Sequence, residues 1–127
     1  MSVKVDLELA QKVWERAPFI VASWSFGSAQ DGAVAQGSDL DIAVLFSSRP
    51  DLEQLAGLRA DLQDALGFDA IDMMILNSAG SISAMEAVSG KPLFCRNTSK
   101  RAEFVSSISR QYEEDMAFLF SGDIHNF

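Results

Sequence analysis

The sequence predicts one layered α/β domain, with a sheet packed against helices. Two observations carry this expectation. Apolar segments rich in β-branched and aromatic residues, at 19–26 and 39–46, alternate with segments whose apolar residues recur at helical spacing. Gly and Pro punctuate the junctions, and no repeat, low-complexity run or linker divides the chain. With 48% hydrophobic and 22% charged residues, a chain of 127 residues has enough apolar side chains for one core. The whole span, 1–127, is therefore read as a single domain.

Leu7, Ala10, Val13 and Trp14 recur at helical spacing up to Pro18, which predicts a helix over 5–17. "FIVASWSF" (19–26) predicts a first strand, ending at Gly27, where the chain can turn sharply. "DLDIAVLF" (39–46) predicts a second. Pro50 then opens a helix over 51–66, with Leu52, Leu55, Leu58, Leu62 and Leu66 on one face and Gly67 as its stop. "DAIDMMILN" (69–77) predicts a third strand, "SISAMEAVSG" (81–90) a short helix, and "PLFCR" (92–96) a short edge strand. Val105, Ile108, Tyr112 and Leu119 mark one side of a last helix over 99–120.

Charge and composition narrow the function classes. A net charge of −8 argues against passive binding to a nucleic acid polymer or an anionic lipid surface, since both need clustered Lys and Arg. Any phosphate handled here is expected to arrive with a metal, and any protein partner is expected to be basic. No apolar run reaches the roughly 20 residues of a membrane span, and "MSVKVDLELAQKVWERA" lacks the apolar stretch of a signal peptide, so the expected location is the cytoplasm. Cys95, the only cysteine, has no internal disulfide partner, and its neighbours Leu93 and Phe94 predict a buried thiol. A homo-oligomer is left open.

The second strand carries an anomaly. Residues two apart on a strand share a face, so Asp39 and Asp41 project together while Leu40, Ile42 and Val44 project into the core. Their Cα atoms would lie about 6.6 Å apart, close enough for both carboxylates to meet one or two metal ions. Two such groups beside apolar structure repel each other and lose hydration, so one should resist ionising unless a cation neutralises the pair. Asp72 sits inside "AIDMMIL", among residues expected to be buried, and would need a partner. If its strand lies beside that of Asp39 and Asp41, three carboxylates converge, an oxygen set suited to Mg²⁺ or Mn²⁺ and unsuited to Zn²⁺. Taken singly, each aspartate has a plain structural explanation: a loop residue, a solvated strand edge, or a partner for an arginine. One metal explains all three together.

Gly27-Ser28 adds a candidate phosphate contact. Glycine lets backbone N–H groups approach an anion, and the Ser28 hydroxyl can donate to a phosphate oxygen. A Gly-Ser pair alone marks a turn; its position between a strand and the Asp39 strand is what gives it weight. Ser38 has two equal readings, a phosphate contact or a turn cap. Other signals fail: around Gly90-Lys91 the P-loop pattern is broken by Met85 and Pro92, and Ala43 and Val44 exclude an EF-hand. His125 is read as a tail residue, and the aromatic residues as core rather than a base-stacking platform.

Gly27-Ser28, ten intervening residues, Asp39-Leu40-Asp41 and a later-strand Asp72 together resemble the DNA polymerase β-like nucleotidyltransferase superfamily. Within it the chain most resembles the short minimal nucleotidyltransferases of MNT type, which are antitoxin-like. The resemblance implies a small mixed (α+β) sheet packed against helices. It implies that Asp39 and Asp41 bind catalytic Mg²⁺ (or Mn²⁺), that Asp72 completes the triad and assists the attacking group, and that Gly27 and Ser28 hold the triphosphate of ATP or another NTP. It also implies a HEPN-type toxin partner, with AMP transferred to a tyrosine of that partner. The alternatives are an antitoxin that acts by complex formation with weak catalysis, and transfer to a small molecule such as an aminoglycoside. One departure stands out: many relatives carry a basic residue shortly after the Gly-Ser, where this chain has Asp31.

Overall fold

The computed structural model describes the backbone of residues 1–125 and the side chains of 1–121. The first strand, β1 (Ser2–Lys4), leads through a 3-10 turn at Leu7–Ala10 into α1 (Gln11–Arg16). Next come β2 (Ile20–Phe26), a 3-10 turn at Gly27–Ala29, β3 (Ala33–Ala35) and β4 (Leu40–Phe46). The order closes with α2 (Leu52–Leu66), β5 (Ile71–Ile75), a 3-10 turn at Leu76–Ser78, α3 (Ser81–Val88), β6 (Lys91–Cys95) and α4 (Thr98–His125).

Four strands form the main sheet in the order β5-β4-β2-β6. β4 and β5 are parallel and the other two pairings antiparallel, so the sheet is mixed, as the resemblance implies. β2 is central and buried along its whole length, because "IVASWSF" offers no charged side chain to either face. β6 lies at the edge, as its short sequence and Pro92 predict.

Strand alternation divides the core. Leu40, Ile42, Val44 and Phe46 face α1 and α2, whose Trp14, Leu58, Leu62 and Leu66 are buried against them. Ala43 and Leu45 face the other way, beneath Ala84 and Ala87 of α3 and Phe104, Val105 and Ile108 of α4. Each large side chain so buried contributes about 1.5–3 kcal/mol. α2 starts at a capping box: the Asp51 carboxylate accepts from the Gln54 N–H at 2.7 Å, and the Gln54 side-chain oxygen accepts from the Asp51 N–H at 3.0 Å.

Several details differ from the sequence expectation. The first helix is split into a 3-10 turn and a short α-helix, because the Asp6 side chain caps at the Glu8 N–H and starts a tighter turn there. The third strand is shorter than 69–77, ending where Asn77 pairs with both backbone polar groups of Phe46. Leu52, the first residue of α2, is exposed and does not join the buried Leu58, Leu62 and Leu66. Cys95 is half-buried rather than buried, because β6 has a neighbour on one side only. The β1–β3 ribbon, with Val3 opposite Val34, was not expected from the sequence. The side chain of His125 lies outside the described residues.

Arg96 joins the two ends of the fold. Its guanidinium donates to the carbonyls of Trp14 (2.8 Å), Glu15 (3.0 Å), Ala17 (3.3 Å) and Ile20 (3.0 Å), and lies 5.2 Å from the centre of the Phe94 ring. The Trp14 and Ala17 carbonyls also accept from the Ala17 and Ile20 N–H groups, so the guanidinium is a second donor to the end of α1 and clamps it to the start of β2.

Candidate functional site

The register of the main sheet sets the site. Phe26 of β2 lies opposite Asp41 of β4, and Asp41 lies opposite Asp72 of β5. One row across three strands therefore carries the lead-in to Gly27, then Asp41, then Asp72. Asp39 precedes β4 by one residue and shares the face of Asp41 by strand alternation.

Local hydrogen bonds hold these positions. Arg59 of α2 donates to the Ile71 carbonyl and Gln63 to the Asp69 carbonyl, fixing the start of β5 just before Asp72. After β2 the chain turns tightly: the Gln30 N–H donates to Gly27 and the Gly32 N–H to Ala29, while the Ser25 hydroxyl donates to the Gln30 carbonyl at 2.6 Å. Gly27 has φ +76°, and a Cβ built there would lie 2.6 Å from Asp41 Oδ2. The turn thus packs its backbone directly against the Asp41 carboxylate, with Ser28 exposed beside it. Ser38 is half-buried, and with Asp39 it borders a cleft of about 540 Å³ whose walls include Val3, Val34 and Phe68.

Asp72 is exposed, contrary to the burial its neighbours suggested. β5 is an edge strand, and only Ile71 before it is deeply buried. Asp41 is half-buried, and its pKa is raised above the usual carboxylate value. Burial is the main cause, followed by the negative charges of Asp72, Asp39 and Glu86. Glu86 of α3 is the one acidic neighbour that the sequence reading missed. It is the only charged residue in the 81–90 segment, a signal that becomes legible once α3 is known to cover the Asp41 face.

The donor chemistry fits a hard divalent cation: every candidate ligand is a carboxylate oxygen, and Asp41, whose pKa is raised by burial and by its acidic neighbours, is central. Among the described residues, no three His, Cys, Asp or Glu side chains are drawn into a group able to enclose an ion. The carboxylates stand in one row rather than in a closed cage.

Comparison with known proteins bears on this arrangement. The family model described as Polymerase beta, Nucleotidyltransferase matches residues 8–99, which hold Gly27, Ser28, Asp39, Asp41 and Asp72. No curated protein matches the chain at a significant level. Among solved structures, a chain of a toxin-antitoxin MntA-HpeT mutant is 23% identical, with a TM-score of 0.76, covering 94% of this chain and 98% of that one. A chain of a toxin-antitoxin with AMP-PNP is 24% identical, with a TM-score of 0.74 and coverage of 94% and 98%. A chain of the complex between tri-AMPylated Shewanella oneidensis HEPN toxin and MNT antitoxin is 24% identical, with a TM-score of 0.67 and coverage of 94% and 97%. These likenesses show a shared fold. With the family match spanning most of the chain, from α1 to β6, the protein belongs to the polymerase beta nucleotidyltransferase family.

Proposed function

We propose that this chain transfers AMP from ATP to a hydroxyl of a HEPN-type toxin, a tyrosine, and acts as the antitoxin of that pair. The observation that carries the reading is the row formed by the Gly27 turn, Asp41 and Asp72, with Asp39 adjoining it. The solved relatives give the partner its class: they are toxin-antitoxin assemblies, one with AMP-PNP and one with an AMPylated HEPN toxin.

In this reading Asp39, Asp41 and Asp72 hold Mg²⁺ or Mn²⁺. Ions held there would supply charge neutralisation at the α-phosphate of ATP, where the bond to the tyrosine oxygen forms as the bond to the departing pyrophosphate breaks. The chain's own residues position the reactants. Backbone N–H groups of the turn at Gly27 and the Ser28 hydroxyl bind the polyphosphate, and Ser38 adds a contact next to Asp39. Asp72, exposed at the sheet edge, accepts the proton of the incoming hydroxyl. The cleft beside Ser38 and Asp39 offers space for a substrate group. Residues 1–127 work as one domain in the cytoplasm. No helix among the described residues is long and apolar enough to cross a membrane.

A second reading, an antitoxin that acts by covering its toxin with little catalysis, is favoured by one observation. Asp31 places negative charge in the loop directly after Ser28. Co-expression with the neighbouring gene, followed by intact-mass measurement, separates the two. Co-purification with a mass gain of one AMP per transfer is expected. A complex without added mass supports the covering antitoxin, and the absence of any complex defeats both.

A further inference from the structure

We infer that Lys4 is a polyphosphate-binding residue of the nucleotide site, and this rests on the function proposed above. Its ammonium donates to the backbone carbonyl of Asp31 at 2.7 Å. Asp31 lies three residues beyond Ser28, in the loop that the Gln30–Gly27, Gly32–Ala29 and Ser25–Gln30 hydrogen bonds make tight. The ribbon that carries Lys4 is sealed to this loop. Val5 donates its N–H to the Gly32 carbonyl at 2.7 Å, and a Cβ on Gly32 would lie 2.2 Å from the Val5 carbonyl oxygen. Lys4 also pairs with Ala33 in the β1–β3 ladder. The ammonium is therefore attached, through backbone, to the same rigid turn that begins at Gly27.

Two features make this cation available to a ligand. Its hydrogen bond goes to a neutral carbonyl, which leaves the charge uncancelled, and one N–H of three is used. Lys4 is exposed. The need for it is electrostatic. Asp39, Asp41, Asp72 and Glu86 gather at the candidate site in a chain of net charge −8, and a triphosphate approaching them is repelled. Asp31 adds a further negative charge to the loop after Ser28. Lys4 returns positive charge to that place from a different strand. The ligand class is the polyphosphate tail of a nucleoside triphosphate rather than a monophosphate.

The test is calorimetric titration of the full chain with Mg-ATP and, separately, Mg-AMP, at low and high salt. K4Q is expected to weaken Mg-ATP binding about five- to tenfold at low salt, less at high salt, with Mg-AMP binding unchanged. K4R is expected to retain most of the affinity, and K12Q, on α1, to bind as the wild type. A K4Q chain that binds Mg-ATP as tightly as a binding-competent wild type overturns this inference alone. Equal losses for Mg-ATP and Mg-AMP that K4R does not rescue also overturn it, because they mark a structural role. A wild-type chain that binds no Mg-ATP overturns both this inference and the proposed function.

Discussion

Gly27 and Asp41 touch across the end of the sheet, with no room between them for a side chain. A Cβ at Gly27 would stand 2.6 Å from Asp41 Oδ2, and the residue's φ of +76° is one that L side chains rarely adopt. The turn and the carboxylate are therefore placed by the same contact. Gly27→Ala should lose about 1 kcal/mol of stability from backbone strain and push the Asp41 carboxylate away. Thermal melting should fall by a few degrees, with Mg²⁺-dependent nucleotide binding reduced. A variant that melts and binds as the wild type does would show that the contact carries neither.

Asp41 has a raised pKa, so the folded state holds its proton more tightly than the unfolded state does. Its penalty on folding is absent at low pH, grows as pH rises above the ordinary carboxylate value, and is complete above the folded-state value. Asp41→Asn should therefore raise the melting temperature of the metal-free protein at neutral pH, and the gain should shrink as pH falls. A variant less stable than the wild type at pH 7 would contradict this sign.

Asp39→Asn combined with Asp41→Asn should abolish Mg²⁺-dependent nucleotide binding while the chain stays folded. Calorimetry with Mg-ATP, alongside circular dichroism, checks both halves. Undiminished affinity in the folded double variant would remove the metal role from these residues.

Ser28→Ala should remove one hydrogen bond to a charged phosphate, a loss of about 1.5–3 kcal/mol, and so raise the apparent constant for ATP at least tenfold. Unchanged nucleotide kinetics would leave Gly27-Ser28 as a turn and nothing more.

Asp31→Arg should improve ATP affinity or transfer rate, most visibly at low salt, because it exchanges repulsion for attraction beside the turn. Titration at two salt concentrations is the measurement. No gain at low salt would mean that the side chain at this position points away from the nucleotide.

The main strands and α2 were legible because each carries a dense local signal. β2 and β4 are apolar runs with clear stops, and α2 has Pro50 before it, a leucine face and Gly67. The three-residue strands β1 and β3 were not legible, since their pairing joins residues about thirty positions apart and leaves no periodicity of its own. Gly27, Ser28, Asp39, Asp41 and Asp72 could be picked out because small and acidic residues interrupt apolar sequence. The exposure of Asp72 depends on β5 being an edge strand, which strand order decides and local sequence does not. Glu86 and Lys4 were missed for the same reason: each is an ordinary charged residue until a tertiary contact gives it a neighbour.

Arg96 ties the carbonyls of residues 14–20 to the last strand across 76 to 82 positions of sequence. The Trp14 and Ala17 carbonyls each already accept one local bond, from the Ala17 and Ile20 N–H groups, so α1 closes its own end and Arg96 adds the link that pins that end to β6, the strand before it. During synthesis that link cannot form until the chain has emerged past Arg96. A nascent chain stalled before β6 therefore lacks the clamp between its first helix and its sheet.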